Sequence, residues 1–185
     1  VPDLQFQLLY GKSKSFTTGF TAGYMLLEPR VPTANQKIND TKIGSYNLEW
    51  YANYTSGNIT AQAKAVYGQN MSQYIMLGGY GRALSDTTNI DNFGYTPFKI
   101  YSLWGEVYYK LNDQFTAGIF AGFSGNLGTA DKVDTDHIYA RGKNIMQLMR
   151  ISPRVSYKVN QFRFGIEYLY DVAQYGTNTP DEYGI

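Results

Sequence analysis

The sequence has no cysteine, one histidine, few charged residues and no apolar run long enough to cross a membrane as a helix. The absence of cysteine excludes disulfide frameworks, cysteine-ligated zinc sites and thiol catalysis. A transmembrane helix would need about 18 consecutive apolar residues, which the chain lacks. Charged residues make up 17%, and a formal net charge of +1 without a Lys/Arg cluster gives nucleic-acid binding no support.

Aromatic residues and glycine are abundant instead, with 18 tyrosines, 10 phenylalanines and 19 glycines among 185 residues. Their arrangement follows the two-residue period of β-strands rather than a helical period. Near residues 15–26, for example, Phe16, Phe20 and Tyr24 share one face, and the residues between them are mostly small or polar. The alternation predicts an all-β chain of about eight strands, near residues 4–10, 15–26, 45–54, 59–67, 101–111, 115–123, 149–157 and 162–171.

The two faces of the predicted strands differ in chemistry, because every charged residue within them falls on the face that otherwise holds Gly, Ser, Thr and Asn. The opposite face carries rings close to each short turn, namely Tyr10, Phe16, Tyr54, Tyr109, Phe115, Tyr157 and Phe162. A soluble sandwich would hide such rings between two sheets and crowd its water face with Lys and Glu. The pattern predicts an aromatic girdle at a membrane boundary, on strands long enough to cross a bilayer when tilted.

The connections alternate in length. Short turns at 11–14, 56–57, 112–113 and 160–161 alternate with long polar loops at about 31–43, 69–97 and 125–144. This layout predicts a transmembrane antiparallel up-and-down β-barrel with its long loops outside the cell. Because strand polarity would leave both chain ends outside, we expect residues 1–185 to be one transmembrane β-barrel domain that is incomplete at both ends. The whole would then be a larger barrel, for example one of 16 strands.

Five short motifs carry a resemblance to a known family. They lie at residues 65–70, 76–80, 121–128, 139–142 and 150–155. These motifs resemble the outer-membrane porin-like barrels of Bacteroidota, near the DcaP-like porins. The resemblance implies a water-filled channel, often a homotrimer, in the outer membrane of a Gram-negative bacterium. The partners it implies are outer-membrane lipid, lipopolysaccharide and small hydrophilic solutes. Because the family's terminal strand with its final aromatic residue is lacking, the pore size is not carried over.

Charged residues on the polar face are candidates for a lining of the channel. They are Glu49, Lys64, Glu106, Arg150, Arg154, Glu167 and Asp171. Keeping the polar residues of each hairpin on one side sets its register. That register predicts three ion pairs, Glu49–Lys64, Arg154–Glu167 and Arg150–Asp171. The pairs form either a charged constriction that selects solutes or cross-strand pairs that only stiffen the wall, and the second interpretation has the greater weight.

Two further features concern backbone conformation. The 69–97 connection contains an apolar stretch at 74–77, which is unusual for a loop in water. It fits either a constriction loop folded into the lumen or, with somewhat greater weight, a strand extension above the membrane.

Pro153 lies within a predicted strand and suggests a local bulge there.

No catalytic, cofactor or metal site is predicted. Ser124 lacks the spacing of a nucleophile elbow and has no partner base. His137 lies near three aspartates, but their spacing fits a solvated charge run better than a calcium loop. The predicted function is therefore not enzymatic but passive diffusion of small hydrophilic solutes past a charged constriction. The main alternative is a structural or adhesin barrel that binds ligands through its outer loops. A barrel enzyme would need a base from elsewhere, and a soluble lipocalin-like binder would need the reverse distribution of charge.

Overall fold

The structure is a computed structural model that describes residues 3–13, 15–33, 35–84, 93–176 and 183–185. The described residues form twelve β-strands and a short 3-10 helix, which confirms the all-β prediction. The elements are β1 (Asp3–Ser13), β2 (Phe16–Leu27), β3 (Ile43–Ser56), β4 (Ile59–Gln69), η1 (Met71–Tyr74), β5 (Gly78–Ala83), β6 (Tyr95–Pro97), β7 (Lys99–Lys110), β8 (Phe115–Asn126), β9 (Val133–Arg141), β10 (Ile145–Val159), β11 (Phe162–Glu167) and β12 (Tyr170–Tyr175). No helix in this part of the chain is long and apolar enough to span a membrane.

Nine strands form one large antiparallel sheet in the order β1-β2-β3-β4-β7-β8-β10-β11, with β12 also paired to β10. When β5, β6 and β9 are left out, strands that follow each other along the chain are therefore neighbours in the sheet, except that β12 pairs with β10 and not with β11. β1 and the β11–β12 side are the two edges, and no backbone pairing between described residues joins them. The large sheet is thus an antiparallel meander, but it is open and does not close into a barrel by itself.

The predicted strand at 162–171 is interrupted where it lies beside Pro153. Tyr168 donates its backbone N–H to the Pro153 carbonyl at 3.0 Å. The return bond is missing because proline has no N–H, so β11 ends at Glu167 and β12 begins at Tyr170. Both halves pair with β10 in one register, and β10 meets β8 without a shift at this point. The expected bulge at Pro153 is therefore wrong, and the proline leaves a gap in the ladder instead.

The register aligns apolar residues into rows that cross the whole large sheet. One such row consists of Leu8, Phe20, Trp50, Ala65, Leu103, Phe123, Met149 and Val172. We call this side the apolar face, and it is exposed, with Ile166 as much as 81% accessible. Charged side chains described in the large sheet lie on the opposite side, the polar face, except Lys99. Lys99 is the first residue of β7 and falls on the apolar face at its long-loop end.

The predicted long loops at 69–97 and 125–144 are only partly loops. They contain β5, β6 and β9, which form a second antiparallel sheet in the order β6-β5-β9. We call η1, β5, β6 and β9 the cap. The cap contributes to a buried cluster whose central members are Val66, Met71, Leu77, Phe98 and Ile100. Because Val66 and Ile100 belong to the polar face of β4 and β7, the cap covers that face at its long-loop end.

Other segments pack around the cap. The buried Asn39 in the 31–43 loop donates its side-chain amide to the Phe93 carbonyl at 2.9 Å. Burial in this region raises the pKa of Tyr80 and Tyr95 above the ordinary value for tyrosine. At the end of the chain, the Thr129 backbone N–H donates to the Tyr183 carbonyl at 3.2 Å. The polarity of the predicted strand at 162–171 also predicts a further long loop after residue 175, and residues 177–182 of it lie outside the described residues.

Candidate functional site

The seven charged residues predicted to line a channel all lie on the polar face of the large sheet. A row across its middle consists of Tyr51, Lys64, Trp104, Gly122, Arg150 and Asp171. Of the other four, Glu49 and Glu106 lie in the adjoining rows, and Arg154 and Glu167 lie one row beyond that of Glu106. The structure therefore brings the candidates into one central band, because alternate residues of a strand share a face and neighbouring strands are aligned.

Arg150 and Asp171 pair as the sequence predicts. They are direct register partners on β10 and β12. The Arg150 Nε–H and Nη2–H donate to the two carboxylate oxygens of Asp171 at 2.6 and 2.8 Å. The side chains are 51% and 52% exposed, so water screens the pair. The bidentate geometry of the pair nevertheless holds both side chains in a defined orientation.

Arg154 faces Glu167 in the register, as predicted, but its closest acidic partner is another residue. Its Nη2–H donates to Glu106 Oε2, whereas Nη1 is 3.9 Å from Glu167 Oε1. Glu167 accepts a hydrogen bond from the Ser152 hydroxyl. The guanidinium also lies 4.8 Å from the centre of the Tyr108 ring. Glu106 was left unpaired by hairpin reasoning, because β7 and β10 are separated by β8 and only the tertiary structure shows that contact.

The predicted register of Glu49 and Lys64 is wrong by two residues. Glu49 faces Val66, and Lys64 faces Tyr51. The predicted register places Tyr54 opposite Ile59, with four residues in the turn. In the structure Ser56 lies opposite Ile59, so the turn has only two residues and the register moves by two. A shift of two residues keeps every side chain on its own face. The ion pair therefore still forms, diagonally, with Lys64 Nζ 2.9 Å from Glu49 Oε1.

Aromatic rings also lie on the polar face, and sequence reasoning missed them as site residues. Tyr51 and Tyr108 lie opposite glycines, Gly19 and Gly118, on the neighbouring strands. A Cβ built on either glycine would come within 2.6 Å of the facing ring. The rings therefore occupy the space that a side chain would take, and they stay close to the sheet surface. The pairing of a glycine with an aromatic residue across a hairpin was the signal that could have revealed them.

The predicted aromatic girdle residues lie at the short-turn end of the apolar face. Phe16 is the register partner of Tyr54, and Phe115 is that of Tyr157, with ring centroids 4.7 Å apart. The exposed members of the set are Tyr10, Phe16, Tyr54, Tyr109, Phe115 and Phe162, and Tyr157 is half-buried. The structure thus brings them to one border of the face. Their contact with membrane lipid stays a prediction.

A second row of rings, which the sequence analysis did not single out, lies at the opposite border of the apolar face. It consists of Tyr24, Tyr46, Tyr67 and Tyr101. The Tyr46 and Tyr67 rings are 6.1 Å apart. On β3 and β7 the two aromatic borders are eight residues apart, from Tyr46 to Tyr54 and from Tyr101 to Tyr109. The residues between them on this face are aliphatic, apart from Trp50 on β3 and Gly105 on β7.

The cap approaches the central band through the residues that follow β4. The Tyr74 hydroxyl accepts hydrogen bonds from Gln5 and Asn47 at 3.2 and 3.1 Å, and it donates to Asp3 at 3.3 Å. All three partners belong to the polar face. The apolar stretch at 74–77 therefore lies over the polar face and is not a strand, and the strand after it, Gly78–Ala83, belongs to the cap sheet and extends no strand of the large sheet.

The remaining polar cluster is small. His137 Nδ1 lies 2.8 Å from Asp134 Oδ2 on β9, in a solvent-accessible position. Within the described ranges, no three His, Cys, Asp or Glu side chains converge in a way that could hold a metal ion. The charge run around His137 thus forms a local pair on the surface of the cap.

Comparison with known proteins identifies no relative, since no family model, curated protein or solved structure matches the chain. The resemblance to DcaP-like porins therefore stays a prediction.

Proposed function

We propose that the large sheet is part of the wall of a transmembrane β-barrel in a bacterial outer membrane, and that the protein is a porin. Its channel would allow passive diffusion of small hydrophilic solutes. The observation that carries the proposal is the separation of chemistry between two faces of one sheet. An exposed apolar face backs a polar face that holds all the described charges of the sheet except Lys99 at one border.

The apolar face suits lipid better than water. Nine of the twelve described strands contribute to the apolar face. The buried hydrophobic cluster lies on the polar side of the sheet, so the cluster covers no part of the apolar face. Its two aromatic borders are eight residues apart, which corresponds to about 26 Å along a strand and about 20 Å across a membrane at a tilt of ~40°. Outer-membrane barrels have an apolar band about 25 Å tall between two aromatic girdles.

The polar face suits a water-filled channel for the complementary reason. A Lys or Arg side chain at the midplane of the lipid face would cost about 2–4 kcal/mol. Lys64, Arg150 and Arg154 lie between the two aromatic borders but on the other side of the sheet, where water and carboxylates are available. A closed wall requires further strands at both edges, because an exposed strand edge has unpaired N–H and C=O groups.

The same proposal covers assembly and origin. The motif resemblance supports kinship to the DcaP-like porins of Bacteroidota. It also supports a homo-oligomer, a trimer in particular, with lipopolysaccharide around its rim. Chemical crosslinking and mass measurement of the detergent-solubilised protein test the oligomeric state. A monomer in mild detergent would remove the trimer from the proposal but leave the channel.

The test of function is conductance. The full-length chain, purified in detergent and added to a planar lipid bilayer, is expected to produce stepwise ohmic currents in potassium chloride. It is also expected to migrate differently on gels before and after boiling, as folded barrels do. A protein that stays monodisperse in water without detergent would contradict the membrane assignment.

The cap supports a second candidate function, a structural or adhesin barrel. It gives the long-loop end a folded three-stranded sheet instead of mobile loops, and such a surface could bind ligands outside the cell. Insertion into bilayers without any conductance would favour this function over a porin.

A further inference from the structure

Trp104 occupies the centre of the polar face and forms an aromatic platform there. Its ring lies 5.8 Å from that of Phe120, with 34° between the two planes. Both residues are half-buried, so part of each ring remains accessible. Gly122 makes this arrangement possible, because a Cβ at that position would come within 3.0 Å of the Phe120 ring. We call Trp104 and Phe120 the Trp104 platform.

Cavities open on both sides of the Trp104 platform. One, of about 530 Å³, lies between Trp104, the Glu49–Lys64 pair and the cap residues Met71 and Tyr74. The other, of about 420 Å³, lies between the platform and the Arg150–Asp171 pair. Both cavities share Ser102 and Trp104. Their sizes lie within the range of about 300–1,000 Å³ that is usual for small-molecule sites.

The charges beside the Trp104 platform are already compensated. Lys64 is held by Glu49 at 2.9 Å, and Arg150 is held by both oxygens of Asp171. An anionic solute would have to displace a carboxylate that is covalently part of the wall, and a cationic solute would have to displace the ammonium or guanidinium. Neither gains much net electrostatic energy, so the site offers little selectivity for ions.

A neutral ligand with many hydroxyl groups meets no such competition. Carboxylate oxygens keep free lone pairs, and the Lys64 ammonium keeps free N–H groups, after each ion pair has formed. The Ser102 and Ser124 hydroxyls, 2.8 Å apart, add a second polar strip beside the ring. An aromatic face supplies apolar contact for the C–H side of a sugar ring, while its hydroxyls reach these polar groups.

We propose that the Trp104 platform is a binding site for neutral saccharides of one or two rings. The inference rests on the proposed function in that the site would lie in the channel and would be occupied transiently during passage. The binding itself depends only on the folded polar face and can be measured without any current.

The two tryptophans permit a direct test by fluorescence. Trp50 lies on the apolar face and Trp104 on the polar face. In the detergent-solubilised full-length protein, Trp50→Phe leaves Trp104 as the tryptophan reporter within this chain, and Trp104→Phe leaves Trp50 as the matched control. Titration with glucose, maltose and lactose is expected to change the Trp50→Phe emission in a saturable manner at millimolar concentrations. Succinate and potassium chloride serve as ionic comparisons.

Each outcome decides the inference. A saturable response of Trp50→Phe to a saccharide supports the inference, if Trp104→Phe does not respond to that saccharide and Trp50→Phe does not respond to succinate. No response to any of the three sugars, a response to succinate alone, or equal responses in both variants would overturn it. Bilayer conductance separates this result from the porin proposal. A conducting channel without a saccharide response removes only the site, and a saccharide response without conductance removes only the porin.

Discussion

Hydrophobic side chains are buried beside the cap but exposed on the apolar face of the large sheet. Phe98, beside the cap, is 0% exposed, whereas Phe162 on the apolar face is 68% exposed. Phe98 lies between β6 and β7, and Phe162 is the first residue of β11. What differs is the partner, because the cap covers Phe98 with other parts of the chain and nothing in the described chain covers Phe162.

Under the proposed function, this contrast corresponds to two different solvents for one molecule. In water, an apolar face of this extent would be a site of aggregation, since exposed apolar patches on monomeric proteins are usually small. In lipid, the same face would need no protein partner, and the cap would stay in water on the polar side, where it shares the buried cluster with β4 and β7. Substitutions that act on one region and not on the other test this division.

The largest effect is expected in the cap. Phe98→Ala removes a fully buried ring from the centre of the hydrophobic cluster. The substitution should lower the free energy of unfolding of the cap by about 3–5 kcal/mol, measured by hydrogen exchange of β5 and β9. Ile75→Ala is the control, because Ile75 is in the same region but 77% exposed, and it should change stability by less than about 0.5 kcal/mol. Equal effects would contradict the contrast.

A charge introduced in the middle of the apolar face should have the next largest effect. Ala63 lies midway between the aromatic borders, and its neighbour Gln62 lies on the polar face opposite Glu106. Ala63→Arg should cost about 2–4 kcal/mol when unfolding is measured in lipid vesicles, because the cation would face hydrocarbon. Gln62→Arg should be nearly neutral. If the two variants are equally stable in vesicles, the apolar face does not contact lipid.

The close packing of rings on glycines should give an intermediate effect. A Cβ at Gly118 would come 2.5 Å from Tyr108, whereas one at Gly165 would have no atom nearer than 3.9 Å. Gly118→Val is therefore expected to destabilise the large sheet by about 1–3 kcal/mol through overpacking, and Gly165→Val should be tolerated. Urea unfolding followed by tyrosine and tryptophan fluorescence measures both. Comparable losses would mean that the rings do not depend on the glycines.

The attachment of the cap to the polar face should be weaker. Tyr74→Phe removes a hydroxyl that bonds Asp3, Gln5 and Asn47. Because these groups are exposed to water, the expected cost is only about 1 kcal/mol. Faster proteolysis within 70–77, with unchanged protection of β7 and β8, would show that the contact holds the cap in place. Unchanged proteolysis would assign that role to the buried cluster alone.

The smallest effect concerns ion selectivity. The central band carries three cations and four carboxylates, so the double change Arg150→Gln and Arg154→Gln moves its formal charge from −1 to −3. The potassium-to-chloride permeability ratio should rise by at most about fivefold, since charges that are already paired contribute no more than about 1 kcal/mol. Lys99→Gln, on the apolar face, should leave the permeability ratio unchanged. An unchanged ratio in the double variant would support pairs that only stiffen the wall.

Much of the large sheet could be predicted from alternation alone. The strand positions, the two faces and the register of Arg150 with Asp171 follow from side-chain parity and from the short turn at 160–161. The register of Glu49 failed because turn length is uncertain by two residues in a polar stretch, and parity does not detect such a shift. The cap could not be predicted, since its strands are short and its partners lie far away in the chain.

Local chemistry therefore determined which residues share a face, because the two-residue period of a strand is a property of the backbone itself. It also determined that one face would be mainly apolar and that the charged residues of the predicted strands would lie on the other. Only the tertiary structure decided that Arg154 reaches Glu106 across β8, and that the cap folds over the polar face. These contacts join strands that are not hairpin neighbours. Their geometry depends on the packing of the whole sheet, which no local pattern encodes.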